Sequence, residues 1–283
     1  MTRPKLLSAG LAAAAAMLFS QNGAAQEIIP LQIPQDFNLV GLGVFSVPDY
    51  YGSDDYEARA APLVRYAWSD TQYVQLIGPE LRANVVPYRT DLRAGPLIRF
   101  RQRRDDDVSD SVVKHMRPVA SATEIGAFLD YHMPLEPGRP LHKIVFSADI
   151  VGNTTGVYSG PSGNIRATYV YPFAQGLFGK PLLGTLGFGL FFASDHFNDR
   201  YFGIHGADVA LFPQRAGRAY KAEGGLTSIK IPFSLTSQVD PKWLVTVAGR
   251  YERLLGDAAD SPVVKDRGDE NQWIIGVAAS YLF

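Results

Sequence analysis

The feature that most constrains the fold is the pattern of residues 273–283, which end the chain. Counting back from the terminus, every second side chain is bulky or apolar: Phe283, Tyr281, Ala279, Val277, Ile275 and Trp273. Alternate residues of a β-strand share one face, so this strand has an apolar face with aromatic rings at both ends. That arrangement is typical of a strand that crosses a bilayer. The alternative interpretation is the last strand of a soluble sheet.

The same terminus predicts a partner. An aromatic residue that carries the terminal carboxylate resembles the signal by which bacterial outer-membrane barrels are recognised for assembly. We therefore expect Tyr281 and Phe283 to contact the barrel-assembly machinery. The other expected neighbours of such a barrel are outer-membrane lipids and lipopolysaccharide.

The N-terminus predicts export. Arg3 and Lys5 precede an apolar stretch at 6–19, and small residues follow at 23–25, which is the pattern of a secretory signal peptide cleaved before Gln26. The apolar stretch is shorter than the roughly 20 residues that a spanning helix needs. The chain has no cysteine, which excludes a lipoprotein anchor and disulfides.

Composition favours a barrel over other classes. The net charge is −1, whereas a nucleic-acid-binding protein usually has a basic face. A mean hydropathy of −0.04 is too low for a polytopic helical protein but suits a barrel, in which half of each strand faces a polar lumen. We predict two parts, a signal peptide at 1–25 and a barrel at 26–283.

Residues 167–194 contain one charge but many glycines and prolines, which favours two strands joined by a turn at 175–181 over a helix.

Alternation between turn-rich interruptions predicts eleven strands, at 37–47, 58–68, 72–85, 91–103, 120–132, 141–151, 164–173, 182–193, 225–236, 242–253 and 272–283. Bacterial single-chain barrels use even strand numbers, so one strand is missing from this set. Either Gly78-Pro79-Glu80 divides 72–85 into two short strands, or a further strand lies near 200–207. We therefore expect an all-β, closed antiparallel up-and-down transmembrane barrel of about twelve strands, with ten or fourteen as alternatives.

Two segments predict a charged interior. In 91–103 the polar face consists of Arg93, Gly95, Leu97, Arg99, Arg101 and Arg103, and in 141–151 it includes Lys143, Ser147 and Asp149. On a soluble sheet an arginine row would face water, whereas in a barrel it faces the lumen, because an arginine facing lipid at mid-depth costs about 2–4 kcal/mol. The residues expected to share the lumen are Arg65, Arg93, Arg99, Arg101, Arg166, Arg250, Glu124, Asp130, Asp149 and Glu252. They could form a salt-bridged plug or line a selective pore.

The expected orientation follows from placing the C-terminus in the periplasm. The segments at 104–118, 152–163, 194–224 and 254–270 then lie outside the cell, and 236–241 lies in the periplasm. Long loops outside and short turns inside are the usual arrangement of such barrels.

Few residues suggest chemistry. Ser194-Asp195-His196 contains the residue types of a hydrolase triad, but adjacent residues point in different directions and cannot form one relay. The histidines are scattered, at His115, His132, His142, His196 and His205. The acidic clusters at 54–55, 105–110, 195–199 and 257–260 suggest either weak sharing of divalent cations with lipopolysaccharide or solvated loops. We predict no catalytic residue, no cofactor and no dedicated metal site.

Several motifs resemble one known family, the MltA-interacting protein / OmpV-like outer-membrane proteins. The similar stretches lie at 48–53, 62–66, 95–101, 105–107, 124–128, 201–204, 253–264 and the closing strand. The most specific is Leu254-Leu255-Gly256-Asp257 followed by Ser261-Pro262. The resemblance implies an outer-membrane barrel that is not an enzyme. It implies a scaffold that holds a murein lytic transglycosylase near a penicillin-binding murein synthase, with a passive, porin-like channel for small solutes as the alternative.

Overall fold

The structure, a computed structural model, describes residues 38–173 and 180–283. These residues form a closed barrel of twelve antiparallel strands, in which each strand pairs with its neighbours in sequence and the last strand pairs with the first. The strands are β1 (Leu39–Pro48), β2 (Tyr56–Ala67), β3 (Tyr73–Ile77), β4 (Glu80–Asn84), β5 (Leu92–Arg101), β6 (Ala122–Pro134), β7 (Lys143–Asn153), β8 (Pro161–Phe173), β9 (Leu182–Ala193), β10 (Gly225–Asp240), β11 (Trp243–Leu254) and β12 (Asn271–Leu282). The predicted fold class is confirmed.

The uncertain strand count is resolved at Gly78-Pro79. The predicted strand at 72–85 is divided into β3 and β4, because Gly78 adopts a left-handed conformation with φ of 52°. The Gly78 N–H donates to the carbonyl of Pro62 at 2.8 Å, so the hairpin turn lies partway up the wall beside β2. The alternative strand near 200–207 was wrong, because a helix ends at Phe202, a 3₁₀ turn begins at Gly206, and between them Ile204 forms only an isolated bridge with Tyr220.

The outward faces of the strands are apolar. Trp273, Ile275 and Val277 of β12 are exposed, and so is Phe283 just after it, as the terminal pattern predicts. Aromatic pairs lie at both ends of this wall: Trp243 and Tyr281 have ring centroids 5.4 Å apart, and Tyr251 and Trp273 have centroids 4.9 Å apart. The alternation therefore separates a lipid-facing surface with aromatic borders from a polar interior.

The connections differ in length at the two ends of the barrel. We call one end the loop end, because the connections at 49–55, 102–121, 154–160, 194–224 and 255–270 lie there. We call the other the turn end, where 68–72, 85–91, 135–142 and 241–242 join the strands. The segment between β8 and β9, where we predicted a turn, lies largely outside the described residues, as do the predicted signal peptide and its cleavage site.

The loop end carries a folded cap, which we define as the five connections named above. It contains α1 (Asp195–Phe202), α2 (Gly256–Asp260), α3 (Pro262–Lys265) and 3₁₀ turns at Val113–His115, Gly206–Leu211 and Pro213–Arg215. The Ser194 hydroxyl caps α1 by accepting a hydrogen bond from the Phe197 N–H at 3.3 Å. Phe197, Tyr201 and Phe202 form the buried face of α1, which packs toward the barrel. Among the described residues, no helix is both long and apolar enough to cross a membrane.

Two apolar clusters hold the cap together. One joins Phe197 and Phe202 of α1 to Tyr158, Phe191 and Leu254 at the rim of the barrel. The other joins the loop after β5 to the loop after β9, through residues that include Val113, Met116, Ile204 and Phe212. The cap is therefore packed like a small domain core, and its short helices depend on that packing.

Candidate functional site

The centre of the lumen contains a buried network of charges around Arg99. Only 1% of the Arg99 side chain is exposed. Its Nη2 lies 2.8 Å from Oε2 of Glu80 and 3.0 Å from Oδ1 of Asp149, so it joins β4 to β7 across the interior. A guanidinium this deeply buried requires such partners, because an unpaired buried charge is strongly destabilising.

The network extends along β4 through two residues that sequence reasoning missed. Glu80 accepts hydrogen bonds from Arg82 as well as from Arg99. The Nη1 atom of Arg82 lies 3.4 Å from Oδ2 of Asp130, which links the hairpin to β6. Glu80 was assigned to the interruption between two strands. Glu80 and Arg82 are two residues apart, like the arginines of β5, and residues with this spacing share one face of a strand. That spacing could have indicated that both side chains face inward.

Glu124 connects the lumen to the cap. Its side chain is 0% exposed, and it accepts hydrogen bonds from Arg101 and from the hydroxyl of Tyr158 in the loop after β7. The Arg101 guanidinium also lies over the ring of Phe197 in α1, 4.8 Å from its centroid. The side chain of Arg101 thus contacts the cap on one side and the buried carboxylate on the other.

Glu252 forms a second junction on the opposite side of the barrel. Its side chain is 1% exposed and lies 2.8 Å from Nη2 of Arg250. It accepts hydrogen bonds from the hydroxyls of Tyr51 and Ser228, both at 2.6 Å. Lys230, whose Nζ is 3.9 Å from Glu252, also donates to Asn164 on β8. Carboxylates from two sides of the lumen therefore bind tyrosines of the loop end.

The residues predicted to share the lumen lie on the inward faces of their strands. Of these, Arg99, Arg101, Glu124 and Asp149 are brought into one network, whereas Arg250 and Glu252 belong to the other junction. Arg65 lies apart from both, toward the turn end, where its Nη1 donates to Gln75 at 3.3 Å. The inward orientation of these side chains was predictable from the sequence, but which of them pair with one another was not.

Ion pairs and hydrogen bonds hold the cap in place. Burial alone would raise the pKa of the Asp110 carboxyl, but hydrogen bonds from Arg267 and from the N–H groups of Val113 and Val112 outweigh it and hold that pKa below its usual value. Burial raises the pKa of Tyr220 to about 12, and its hydroxyl donates to the Asp257 carbonyl at 2.8 Å.

The residues considered for catalysis have structural contacts. Ser194 caps α1, and its hydroxyl donates to the carbonyl of Ser159 at 2.8 Å. Asp195 accepts the N–H of Gly224 at 2.8 Å, and His196 is exposed. The three residues lie at the start of a capped helix, in a segment that the sequence analysis interpreted as a loop.

The other histidines lie far apart in the fold. His205 pairs with Asp199 in the cap, with Nε2 2.7 Å from Oδ1. His142 lies at the turn end, where its Nδ1 is 3.2 Å from Oε2 of Glu136. His132 is buried inside the barrel, and His115 is exposed in the cap.

Most carboxylates of the acidic clusters already have partners. Asp105 and Asp107 pair with Arg103, Asp199 pairs with His205, and Asp260 pairs with Lys265. Across the described ranges, no three histidine or acidic side chains converge as a metal site would require. These contacts favour ion-paired loops over cation binding.

Comparison with known proteins identifies one matching family and several individual proteins that are similar to this chain. The chain matches the family described as MltA-interacting protein MipA over residues 40–283. It is 34% identical over 95 residues to outer membrane protein OmpV of Vibrio cholerae serotype O1, and this match spans 34% of each protein, about a third of the relative's length. An outer membrane channel from Pseudomonas putida F1 aligns with a TM-score of 0.42 and 12% identity, over 92% of this chain and 100% of that one. OprB of Pseudomonas putida aligns with a TM-score of 0.37 and 13% identity, over 80% of this chain and 59% of that one.

The family match covers all twelve strands apart from the first residue of β1, together with the whole cap. The resemblance seen in the sequence motifs is thereby confirmed. This chain is an outer-membrane β-barrel protein of the MltA-interacting protein MipA family.

Proposed function

We propose that this protein is a non-catalytic anchor in the outer membrane that binds peptidoglycan-remodelling enzymes at its turn end. The partners would be a murein lytic transglycosylase and a penicillin-binding murein synthase. The family description, MltA-interacting protein, supports the first partner. Two features together carry the proposal: the charged side chains in the lumen are buried and paired with one another, and the loop end carries a folded cap. Both features suit a rigid anchor better than an open channel.

The interior argues against the alternative of a passive channel. A channel lined by charge needs side chains that face water along its path. Here Arg99, Glu124 and Glu252 are at most 1% exposed and bind neighbours across the lumen. Above them, the aromatic side chains of α1 pack into the rim of the barrel at the loop end.

A catalytic role has little support from the described side chains. The Ser194 hydroxyl is engaged by two backbone groups at the start of α1. Its neighbours Asp195 and His196 do not hydrogen-bond to it, so no relay leads to that hydroxyl. This geometry supports a binding function.

The turn end offers a contact surface made of several short turns. Tyr88 is 97% exposed and adopts a left-handed conformation with φ of 60°, which is unusual for a residue with a side chain. Trp68 and Leu135 are exposed in neighbouring turns. Exposed aromatic residues are typical binding hot spots. Because a stable interface needs about 800 Å² from each partner, several turns would have to contribute together.

A crosslinked pull-down from intact envelope tests the proposal. The tagged wild-type protein should recover a lytic transglycosylase or a murein synthase, and Tyr88→Ala should recover several-fold less, about what loss of a 1–2 kcal/mol hot-spot contact produces. Tyr131→Ala is the matched control, because Tyr131 is exposed on the lipid face of β6. Recovery of only assembly factors and lipopolysaccharide would contradict the proposal. Steady single-channel conductance of the wild type in planar bilayers would then favour the channel.

A further inference from the structure

We infer that a notch in the barrel wall, between β2 and β5 at the loop end, is a binding site for the lipid A part of lipopolysaccharide. We define the notch as the unpaired edge of β2 from Tyr56 to Ala61, on the loop-end side of the hairpin turn at Gly78-Pro79. The notch shares no residue with the junctions at Glu124 and Glu252, and it does not depend on the proposed scaffold.

The notch exists because the hairpin between β2 and β5 is short. β3 and β4 have 5 residues each, whereas β2 has 12 and β5 has 10. β3 pairs with β2 only at Leu63–Ala67, and the bond from the Gly78 N–H to the Pro62 carbonyl ends this contact. In the part of the chain that the structure describes, no strand pairs with Tyr56–Ala61 on the side away from β1.

The unpaired edge presents backbone polar groups. Successive residues of an antiparallel strand direct their N–H and C=O groups to alternate sides. Because the Pro62 carbonyl points toward β3, the backbone groups of Ala58 and Ala60 point the same way, into the notch. Neither alanine has a hydrogen-bond partner on that side among the described residues. The edge therefore offers donors and acceptors to a ligand.

These groups lie at the depth of the lipid chains. Tyr56 belongs to the aromatic border of the wall, and its hydroxyl accepts a hydrogen bond from the Trp273 N–H at 3.2 Å. Ala58 and Ala60 follow it toward the middle of the wall, and Ala60 is in register, through β1, with the lipid-facing Val277. Unpaired backbone groups are costly at this depth, because hydrocarbon offers them no hydrogen bonds. Since the notch is continuous with the lipid-facing surface, its occupant is a lipid.

The side chains around the edge leave it accessible. Ala58 and Ala60 are exposed and small, and Ser46, which is in register with Ala58 on β1, is also small. Between the two alanines, Arg59 faces inward and forms an ion pair with Glu57. The Nε and Nη1 atoms of Arg59 are buried without hydrogen-bond partners among the described residues, which adds donors at the level of the notch.

The mixture of donors and acceptors favours lipid A over a glycerophospholipid. The chains of a glycerophospholipid are attached through esters, which only accept hydrogen bonds and so leave the carbonyls of Ala58 and Ala60 unpaired. Lipid A carries amide-linked and hydroxylated chains, and amides and hydroxyls both donate and accept. One lipid A molecule with a chain in the notch can therefore pair the N–H groups and the carbonyls of this edge.

Native mass spectrometry of the full-length folded protein in detergent tests the inference. Purified lipid A and phosphatidylethanolamine are titrated separately, and the wild type should bind one lipid A with an affinity at least about ten-fold higher than that for phosphatidylethanolamine. Ala58→Trp should weaken lipid A binding about ten-fold or more, because the indole fills the notch. Ala60→Pro should weaken it several-fold, because it removes one N–H donor at a strand edge, where proline is tolerated.

Ala279→Trp is the matched control, because Ala279 is exposed on the outward face of β12, where the strand is paired on both sides. It should leave the affinity unchanged, and heat-modifiable mobility in gels checks that each variant is folded. If the notch variants do not fold, hydrogen exchange of the wild type decides: the peptide at 56–62 should exchange more slowly in bilayer discs with lipid A than in discs of phosphatidylethanolamine alone. Equal affinity for the two lipids, unchanged lipid A affinity in folded Ala58→Trp and Ala60→Pro, or equal exchange in the two discs would overturn the inference.

Discussion

Replacing Phe197 by alanine should loosen the cap while leaving the barrel intact. Phe197 is fully buried between the helix and the rim. Its ring centroid lies 4.7 Å from that of Tyr201 and 5.0 Å from that of Tyr158, and it lies against the Arg101 guanidinium. The substitution therefore removes the central contact between α1, the loop after β7 and the charged lumen.

The expected magnitude follows from the burial of this ring. A buried Phe→Ala substitution costs about 3–5 kcal/mol, which includes the interactions of the ring with its aromatic neighbours. Because the strands keep their own hydrogen bonds, this cost should fall on local opening of the cap. A loss of that size corresponds to about 10²-fold to 4 × 10³-fold faster amide exchange in the cap, at about 1.4 kcal/mol for each factor of ten.

Hydrogen exchange measured by mass spectrometry checks this prediction. Peptides from α1, α2 and α3 should exchange faster in Phe197→Ala, while peptides from β6 to β8 keep the wild-type rate. Phe188→Ala is the matched control, because Phe188 lies on the outward face of β9 and is exposed to lipid. Equal exchange of the cap in both variants, or faster exchange throughout the strands, would refute the argument that the cap is an independently packed unit.

Two further predictions concern the charged groups. Glu80→Gln should lower the free energy of unfolding in urea by about 3–5 kcal/mol, because it leaves the buried Arg99 without its closest carboxylate. The control Glu270→Gln, in the exposed part of the cap, should lower it by less than about 1 kcal/mol. Equal losses in the two variants would contradict this reasoning. The lowered pKa of Asp110 means that its contribution to cap stability is present above the unfolded-state pKa of about 3.9 and is lost as the pH falls through the lower folded-state value. Cap proteolysis should therefore rise from pH 5 toward pH 2, and Asp110→Asn, already without the charge, should show a flatter profile; identical profiles would show that other groups control the cap.

The strands were predictable because their signal is local. A period of two in hydrophobicity identifies both a strand and its lipid-facing side, and Phe283, Trp273, Arg99 and Lys143 all face the side that this rule predicts. Gly78-Pro79 was identified as a possible break for an equally local reason, the conformational freedom of glycine and the missing N–H of proline. The structure places the additional strand there.

The cap was not predictable from the same signals. The segments at 194–224 and 254–270 contain turn-forming residues and short apolar groups, and they were interpreted as loops, apart from the alternative strand near 200–207. Helices of four to eight residues, such as α1, α2 and α3, have little stability in isolation, so their sequences carry a weak helical signal. They form because their apolar faces pack on each other and on the rim of the barrel.

The sequence by itself determined that this chain forms a membrane barrel and, outside the hairpin that contains Glu80 and Arg82, which charged side chains face its interior, because both follow from alternation within single strands. The tertiary structure decided which of those side chains meet. Arg99 pairs with Asp149 and Arg82 pairs with Asp130, across strands that are far apart in the chain. The physical reason is that such pairs depend on the register and tilt of every strand between them, and those are set only when the barrel closes.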